Sequence, residues 1–289
     1  MTAEKTMTDK MMTDELSTST GSGTEATASG SVIRDAERFA GIGRLYGQAA
    51  LAAFQRSHVC VVGIGGVGSW AAEALARSGI GRITLIDLDD ICVSNTNRQL
   101  HTLSGTIGQD KVAVMAERLQ AIWPEIQVHE VSDFVDASNL AELITRDMDY
   151  VVDAIDSVSA KVALVAHCKR NKIPLVCTGG AGGQTDPTQI QIADLTQTIN
   201  DPLLAKVRNK LRRDYHYSRN PKRRYGIDCV YSTEQLKYPQ PDGSVCQQKF
   251  SEGPMRLDCS GGFGAVTVVT ASFGMAAVSR VLNKMAAKA

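Results

Sequence analysis

Between Val59 and Lys111 the chain carries a glycine-rich turn, Gly63-Ile64-Gly65-Gly66-Val67-Gly68, followed by Asp87 and Asp89 and then by Asn95, Arg98 and Lys111. Each residue type suits a part of a nucleoside triphosphate. Gly63 permits a tight turn, Gly65 and Gly66 let backbone approach a phosphate, and Gly68 allows close packing of a following helix. An aspartate shortly after, Asp87, can accept hydrogen bonds from ribose hydroxyls. The turn alone does not discriminate, since NAD and FAD sites and ordinary turns share it. Arg98 and Lys111 do discriminate: hydride transfer has no need of two added cations, whereas charge developing on a triphosphate during nucleotidyl transfer does. The combination points to activation of a carboxylate by ATP.

These residues need rigid elements behind them. The apolar run 58–62 predicts a strand that feeds the glycines into an Ala-rich helix over 69–78, stopped by Gly79. A second strand over 82–86 delivers Asp87 at its carboxyl end. Further on, Val151-Val152-Asp153-Ala154-Ile155 leads to Asp156, ahead of a helical segment over 159–170. Asp156 therefore reads either as a site residue or as a helix-capping or first-turn acid. Likewise Asp87 or Asp89 reads also as a strand-end turn residue, and Arg98 and Lys111 as solvated charges. A strand over 174–177 leads into Thr178-Gly179-Gly180-Ala181-Gly182-Gly183-Gln184, whose carbonyls make it a candidate for a monovalent cation or a plain chain crossing. Alternating strands and helices predict an α/β fold, a doubly wound and mainly parallel Rossmann-like sheet.

The 289 residues, 43% hydrophobic and 21% charged with zero formal net charge, are ordinary for a globular enzyme. Residues 1–31, rich in Thr, Ser, Gly, Ala and Glu without periodicity, predict a disordered tail, and the absence of an apolar signal core there points to the cytoplasm. Residues 32–289 are expected to form a single domain. The stretch 261–283 is nearly uncharged, which invites a membrane reading, but Thr267, Thr270, Ser272, Ser279 and four glycines favour a helix buried in the core or a dimer interface. The seven cysteines form no Cys-x-x-Cys pair, so no zinc is expected. Cys60 and Cys177 read as packing residues in strands, Cys229 and Cys246 as residues of loops, where a functional thiol is conceivable.

One segment departs from this neutral balance. Over 206–225 the cations Lys206, Arg208, Lys210, Arg212, Arg213, Arg219, Lys222, Arg223 and Arg224 stand against one acid, Asp214. Tyr215, His216, Tyr217 and Tyr225 are interleaved with them, pairing stacking surfaces with phosphate contacts as RNA recognition requires. A solvated helix face or basic loop is the alternative.

Glycine turn, Asp87, Asn95-x-x-Arg98, Lys111 and Asp156 occur in the order and spacing of the ubiquitin-activating-enzyme-like superfamily of adenylating enzymes, which residues 34–194 and more loosely the remainder resemble. The resemblance implies that Asp87 binds ribose, that Asn95, Arg98 and Lys111 hold the phosphates, and that Asp156 lies near magnesium and the reacting phosphate. It also implies an arginine donated by a partner subunit from the segment before the first strand. Arg44 is the candidate, with Arg38 its rival, and the enzyme would then be a homodimer. Within the superfamily, the sequence from residue 31 onward most closely resembles bacterial tRNA threonylcarbamoyladenosine dehydratases, tRNA-modifying enzymes. That implies adenylation of the substrate's threonyl carboxylate, release of pyrophosphate, ring closure by the neighbouring carbamoyl group and loss of AMP. It further implies a cysteine desulfurase or sulfur-acceptor system as a partner. Two other readings stay open: adenylation of the C-terminus of a ubiquitin-like or sulfur-carrier protein, and a noncatalytic, nucleotide-dependent RNA-binding module.

Overall fold

The computed structural model describes residues 37–220, 222–248 and 263–289; the expected tail over 1–31 and Cys259 lie outside them. The chain passes through α1 (Ala40–Tyr46) and α2 (Gln48–Arg56) and then alternates β1 (His58–Val62), α3 (Gly68–Arg77), β2 (Arg82–Ile86), α4 (Lys111–Ile122), β3 (Gln127–Val131), a short α5 (Leu140–Leu143), β4 (Tyr150–Asp153), α6 (Val158–Asn171) and β5 (Leu175–Thr178). It continues through β6 (Ile190–Asp194), α7 (Pro202–Asp214), β7 (Asp228–Ser232), the small strands β8 (Tyr238–Pro239) and β9 (Val245–Cys246), and α8 (Thr267–Ala286). Gly41–Ala289 pack as one unit; of Met1–Ala40, only residues 37–40 are described.

The seven-stranded sheet has the order β3-β2-β1-β4-β5-β7-β6. All neighbours run parallel except β6, which pairs antiparallel with β7. This is the doubly wound arrangement expected, and its order reverses between β1 and β4, where a crevice must open at the carboxyl ends of the strands. β1 and β4 are buried throughout, the pattern of strands covered on both faces. Because side chains alternate, Cys60, Val62, Val151, Cys177 and Cys229 face the core formed with α6 and α7. On the other face, α8 packs on α2 and α3, and a two-pronged ion pair from Arg280 to Asp228, at 2.7 and 2.8 Å, fastens it to β7.

Two differences from the sequence reading have clear causes. The helix expected over 261–283 runs over Thr267–Ala286 instead, with Val269, Phe273, Ala277, Val281 and Met285 forming its buried stripe. It lies flush on α3 because Gly274 has no side chain; a Cβ there would sit 2.6 Å from the Val67 carbonyl oxygen. No described helix is long and apolar enough to cross a membrane. Cys229 is not in a loop: it lies fully buried in β7, in register with Cys177 of β5, and Cys246 lies half-buried in β9. The flanking Gly226 and Asp228 suggested a loop, but pairing with a distant strand decides the conformation.

The turn from β1 to α3 is the tightest point in the fold. A Cβ on Gly68 would lie 1.8 Å from the Gly63 carbonyl oxygen, a backbone atom that cannot move aside, and Gly63 itself has φ of 88°. Gly68→Ala is therefore expected to destabilise the protein by about 2 kcal/mol or more, measured by denaturant unfolding, and to abolish nucleotide binding at the turn.

Candidate active site

An open cleft of about 2000 Å³ lies at the carboxyl ends of the strands, as the reversal of strand order requires. Its lining brings together Gly63, Gly65, Gly66, Asp87, Asp89, Asn95, Arg98, Lys111 and Asp156 from five separate stretches of chain. Gly68 stands just behind the turn as the first residue of α3.

One half of the cleft is organised by Asp87. Its Oδ2 accepts the Ile64 N–H of the glycine turn at 2.6 Å, and its Oδ1 accepts the Asp89 N–H at 2.9 Å. Lys111, nearly buried, donates from Nζ to Asp89 Oδ2 at 2.7 Å and lies 3.5 Å from Asp87 Oδ1. Lys111 opens α4, whose cap is Asp110, accepting the Val112 N–H at 2.9 Å. One cation thus ties the end of β2 to the start of α4, directly beside the glycines.

Asn95 and Arg98 sit on the loop that follows. Asn95 is buried and its Oδ1 accepts the Cys92 N–H at 3.0 Å, so its visible work is to shape the loop. Arg98 lays its aliphatic stem on Gly66, where a Cβ would meet Cγ at 3.0 Å, and Nη1 donates to Ser94 O and Asn97 Oδ1, each at 2.9 Å. The Arg98 carbonyl in turn accepts Trp70 Nε1–H from α3 at 3.1 Å. From α8 and the residues before it, Thr267 Oγ1 donates to Asn97 O at 2.6 Å, while Asn97 Nδ2 donates to Ala265 O at 2.8 Å.

The other half of the cleft is built after β4 and β5. Asp156 is exposed on the turn after β4, and Ser157, not Asp156, occupies the cap position of α6. The glycine loop is pinned by Gly180 N–H to Asp201 Oδ2 at 3.0 Å, while two of its carbonyls, Gly180 O and Gly183 O, already accept Gln184 Nε2 and Lys237 N–H at 3.0 and 2.8 Å. Lys210, Asp214 and Tyr215 complete the wall. Arg44 is exposed on α1 and does not line the cleft; Arg38 is also exposed. Among the described residues no group of three or more His, Cys, Asp or Glu side chains is placed to hold a metal ion.

The basic segment resolves into two parts. Its first half is α7, which buries Leu203, Leu204, Val207 and Leu211 and begins at the Asp201 cap with Pro202 in its first turn. Arg208 is tied into the fold, donating to Leu195 O, Thr198 O and Thr198 Oγ1 at 3.0, 3.2 and 2.9 Å. Arg212 donates to the hydroxyl of Tyr225, itself buried, at 2.8 Å. Arg213, Arg219, Lys222, Arg223 and Arg224 are exposed, and Arg213 is paired with Asp214.

Some residues at the site carried no assignment from sequence. Gln99, adjacent to Arg98, is buried beside Gly65, and its Oε1 has no hydrogen-bond partner among the described residues; its place directly after Asn-x-x-Arg was the available signal. Phe134, exposed after β3, is another lining residue, and Asp201, an aspartate before Pro202 at a helix start, does not line the cleft but holds the Gly180 N–H of the glycine loop.

Behind Lys111, His101 is fully buried and neither ring nitrogen has a partner among the described residues. Burial first, and then the Lys111 charge, lower its pKa from 6.5 to about 4. The unfolded chain takes up this proton near the ordinary value and the folded chain refuses it, so stability falls as pH drops from about 6.5 to about 4 and the contribution is flat above. Thermal unfolding of the protein and of His101→Gln across that range is expected to show this slope in the first and its loss in the second.

A tRNA threonylcarbamoyladenosine dehydratase of Escherichia coli strain K12 is 60% identical to this chain over 261 residues, 89% of the chain and 97% of that protein. The crystal structure of E. coli TcdA, the tRNA N6-threonylcarbamoyladenosine dehydratase, in complex with ATP matches with a TM-score of 0.78 at 55% identity, covering 88% of this chain and 95% of that one. Its AMP complex matches with the same TM-score and identity, covering 88% and 96%. The sequence model of the ThiF family matches residues 40–288, a span that takes in the cleft from the glycine turn to the helix that closes its rear. The adenylating-enzyme signature read from the glycine turn and its cations thus has a home: the chain belongs to the ThiF family.

Proposed function

We propose that this protein uses ATP to dehydrate threonylcarbamoyladenosine in tRNA to its cyclic form. The observation that carries the reading is the likeness, over nearly the whole chain, to a dehydratase of that name, joined to a cleft in which a glycine turn and two cations face an exposed carboxylate.

The chemistry follows from the placement of groups. The turn and the start of α3 receive phosphates, since a helix N-terminus offers unpaired N–H groups and partial positive charge. Asp87, already fixed by two backbone N–H donors, keeps lone pairs for ribose hydroxyls. Arg98, on the loop that Asn95 shapes, and Lys111 at the start of α4 neutralise the charge that grows on the phosphates as the substrate carboxylate attacks and pyrophosphate leaves. The acyl adenylate has AMP as a good leaving group; the neighbouring carbamoyl group attacks the acyl carbon, AMP departs, a proton is lost to solvent, and the net organic change is one water. Because the second step is intramolecular, the protein needs positioning and not a covalent nucleophile, which fits the burial of Cys60, Cys168, Cys177 and Cys229.

Several finer points belong to the same proposal. Magnesium accompanying ATP needs only one or two protein carboxylates beside the phosphates, and Asp156, exposed in the cleft lining, would supply one; the ion would neutralise phosphate charge. A monovalent cation on the remaining carbonyls of the glycine loop, a homodimer in which Arg44 or Arg38 reaches a neighbouring site, a cytoplasmic location and a sulfur-transfer partner complete it. So does the division into a tail over 1–31 and one domain over 32–289. The exposed cations Arg213, Arg219, Lys222, Arg223 and Arg224, with Lys210 at the cleft wall, are the tRNA contacts; Arg208 and Arg212 contribute by holding α7 and the following loop.

Nucleoside mass spectrometry on tRNA bearing threonylcarbamoyladenosine, incubated with the protein, magnesium and ATP, is expected to show an ATP-dependent loss of one water. An unchanged nucleoside, with ATP demonstrably bound, would move the reading to activation of a protein carboxylate. Arg98→Ala is expected to cost about 10²–10³-fold in kcat with the fold intact. Neutralising Arg219, Lys222, Arg223 and Arg224 together is expected to lower the salt dependence of tRNA binding by a slope of about 3, at about 0.7 per single-strand phosphate contact, with ATP affinity unaltered.

A further inference from the structure

Beneath the cleft, on the face of the sheet covered by α6 and α7, lies an ion pair that no step above uses. Lys161, in the first turns of α6, and Asp153, the last residue of β4, both have fully buried side chains. Lys161 Nζ donates to Asp153 Oδ1 at 2.7 Å and to Asp153 O at 3.3 Å. Burial works most strongly against the ammonium charge, but the charge and hydrogen bond of Asp153 together with the neighbouring Cys177 and Cys229 leave the lysine pKa raised, so the residue is a cation in the core. Such pairs are seldom the most stable way to fill a core, and well-packed apolar residues commonly do as well or better. Its presence calls for a reason other than stability.

The reason lies in what the pair holds. Asp153 Oδ1 also accepts the Ile155 N–H at 3.1 Å, which fixes the turn carrying Asp156. The Asp153 carbonyl accepts Thr178 Oγ1 at 3.2 Å, at the point where β5 enters the glycine loop. That loop rests on a second buried carboxylate, Asp201, which accepts Gly180 N–H at 3.0 Å and Leu204 N–H at 2.8 Å. Gly179 lies so close that a Cβ would come within 1.8 Å of Asp201 Oδ2. Burial raises the pKa of Asp201, and those hydrogen bonds together with the charge of Lys161 oppose the rise. Asp153 Oδ2 has no hydrogen-bond partner among the described residues, so the balance of that carboxylate rests on Lys161. Lys161 is bonded to one of these carboxylates and adds only its charge at the other, and each carboxylate anchors one of the two loops that follow β4 and β5. The nucleotide half of the cleft, held by Ile64, Asp87, Asp89 and Lys111, has anchors of its own.

We propose that Lys161 is a positioning residue that sets the Asp156 turn and the glycine loop from below, so that the acceptor half of the cleft is held independently of the nucleotide half. This rests on the adenylation reading given above. A misplacement of about 1 Å at reacting groups costs about 10²-fold in rate, and that is the size of effect expected. The test uses the full-length protein with Lys161→Met and with the double variant Asp153→Asn/Lys161→Met, which removes the Asp153 charge together with the cation and keeps the measurement open if the single variant fails to fold. ATP affinity by calorimetry and KM for tRNA are expected to stay at the parental values while kcat for dehydration falls about 10²-fold in both variants. Lys161→Arg, which keeps the charge, is expected to recover part of it. A folded double variant with parental kcat overturns the proposal, and so does loss of ATP affinity in step with kcat. Amide hydrogen exchange at Ile155 and Gly180 separates this outcome from failure of the dehydratase reading: if the parent protein itself shows no dehydration, faster exchange at these two amides in the variants still supports the positioning role, and unchanged exchange overturns it.

Discussion

Everything in the nucleotide half of the cleft depends on the contact between the Gly63 carbonyl and the backbone of Gly68. The two segments approach so closely that no side chain fits between them, and this closeness lets α3 start directly at the end of β1. It fixes the direction of the α3 axis, the place where backbone N–H groups can meet phosphates, and the position of Ile64, whose N–H Asp87 accepts. The reversal of strand order then brings Ala154 against Gly63, with Ala154 N–H donating to Val62 O at 2.9 Å, so that the turn after β4 is set by the same strand end. A steric exclusion of a few ångströms thereby places the nucleotide half of the cleft and the edge against which the other half begins.

The two halves differ in how they are electrostatically supported. Near the glycine turn a nearly buried lysine is shared between one half-buried and one exposed aspartate, and the group remains at the cleft surface, where phosphates can compete for it. Under the loops that follow β4 and β5 the corresponding cation is sealed in the core. A cation at the surface can exchange partners as charge develops; one in the core holds geometry and little else. The division suits an enzyme that must handle a mobile triphosphate on one side and keep a reacting carboxylate still on the other.

Legibility from sequence followed how locally each feature is encoded. The strands over 58–62 and 82–86 were readable to the residue because apolar runs end abruptly at Gly63 and Asp87. The residues of the glycine turn, with Asn95, Arg98 and Lys111, were readable as a set because their types are unusual in combination. The strand containing Cys229 was not: five residues with polar ends carry little signal until β5 pairs with them. In the basic segment the density of charge hid the spacing of Leu203, Leu204, Val207 and Leu211, which makes its first half an ordinary amphipathic helix. Lys161 had no signal at all, since a lysine in a helix is normally solvated and only the tertiary structure shows it buried.

The bonds joining Asn97 to Ala265 and Thr267 span 168 and 170 positions of sequence. They brace the loop of Arg98 from a helix synthesised long after the loop itself, so the loop cannot be held in its final shape while the chain is still emerging. Contacts of such separation form late because ordering the intervening chain must come first. The shape of the arginine loop is thus among the final things this protein acquires on folding, and a chain cut short before α8 would keep every residue of the glycine turn while leaving that loop without its rear support.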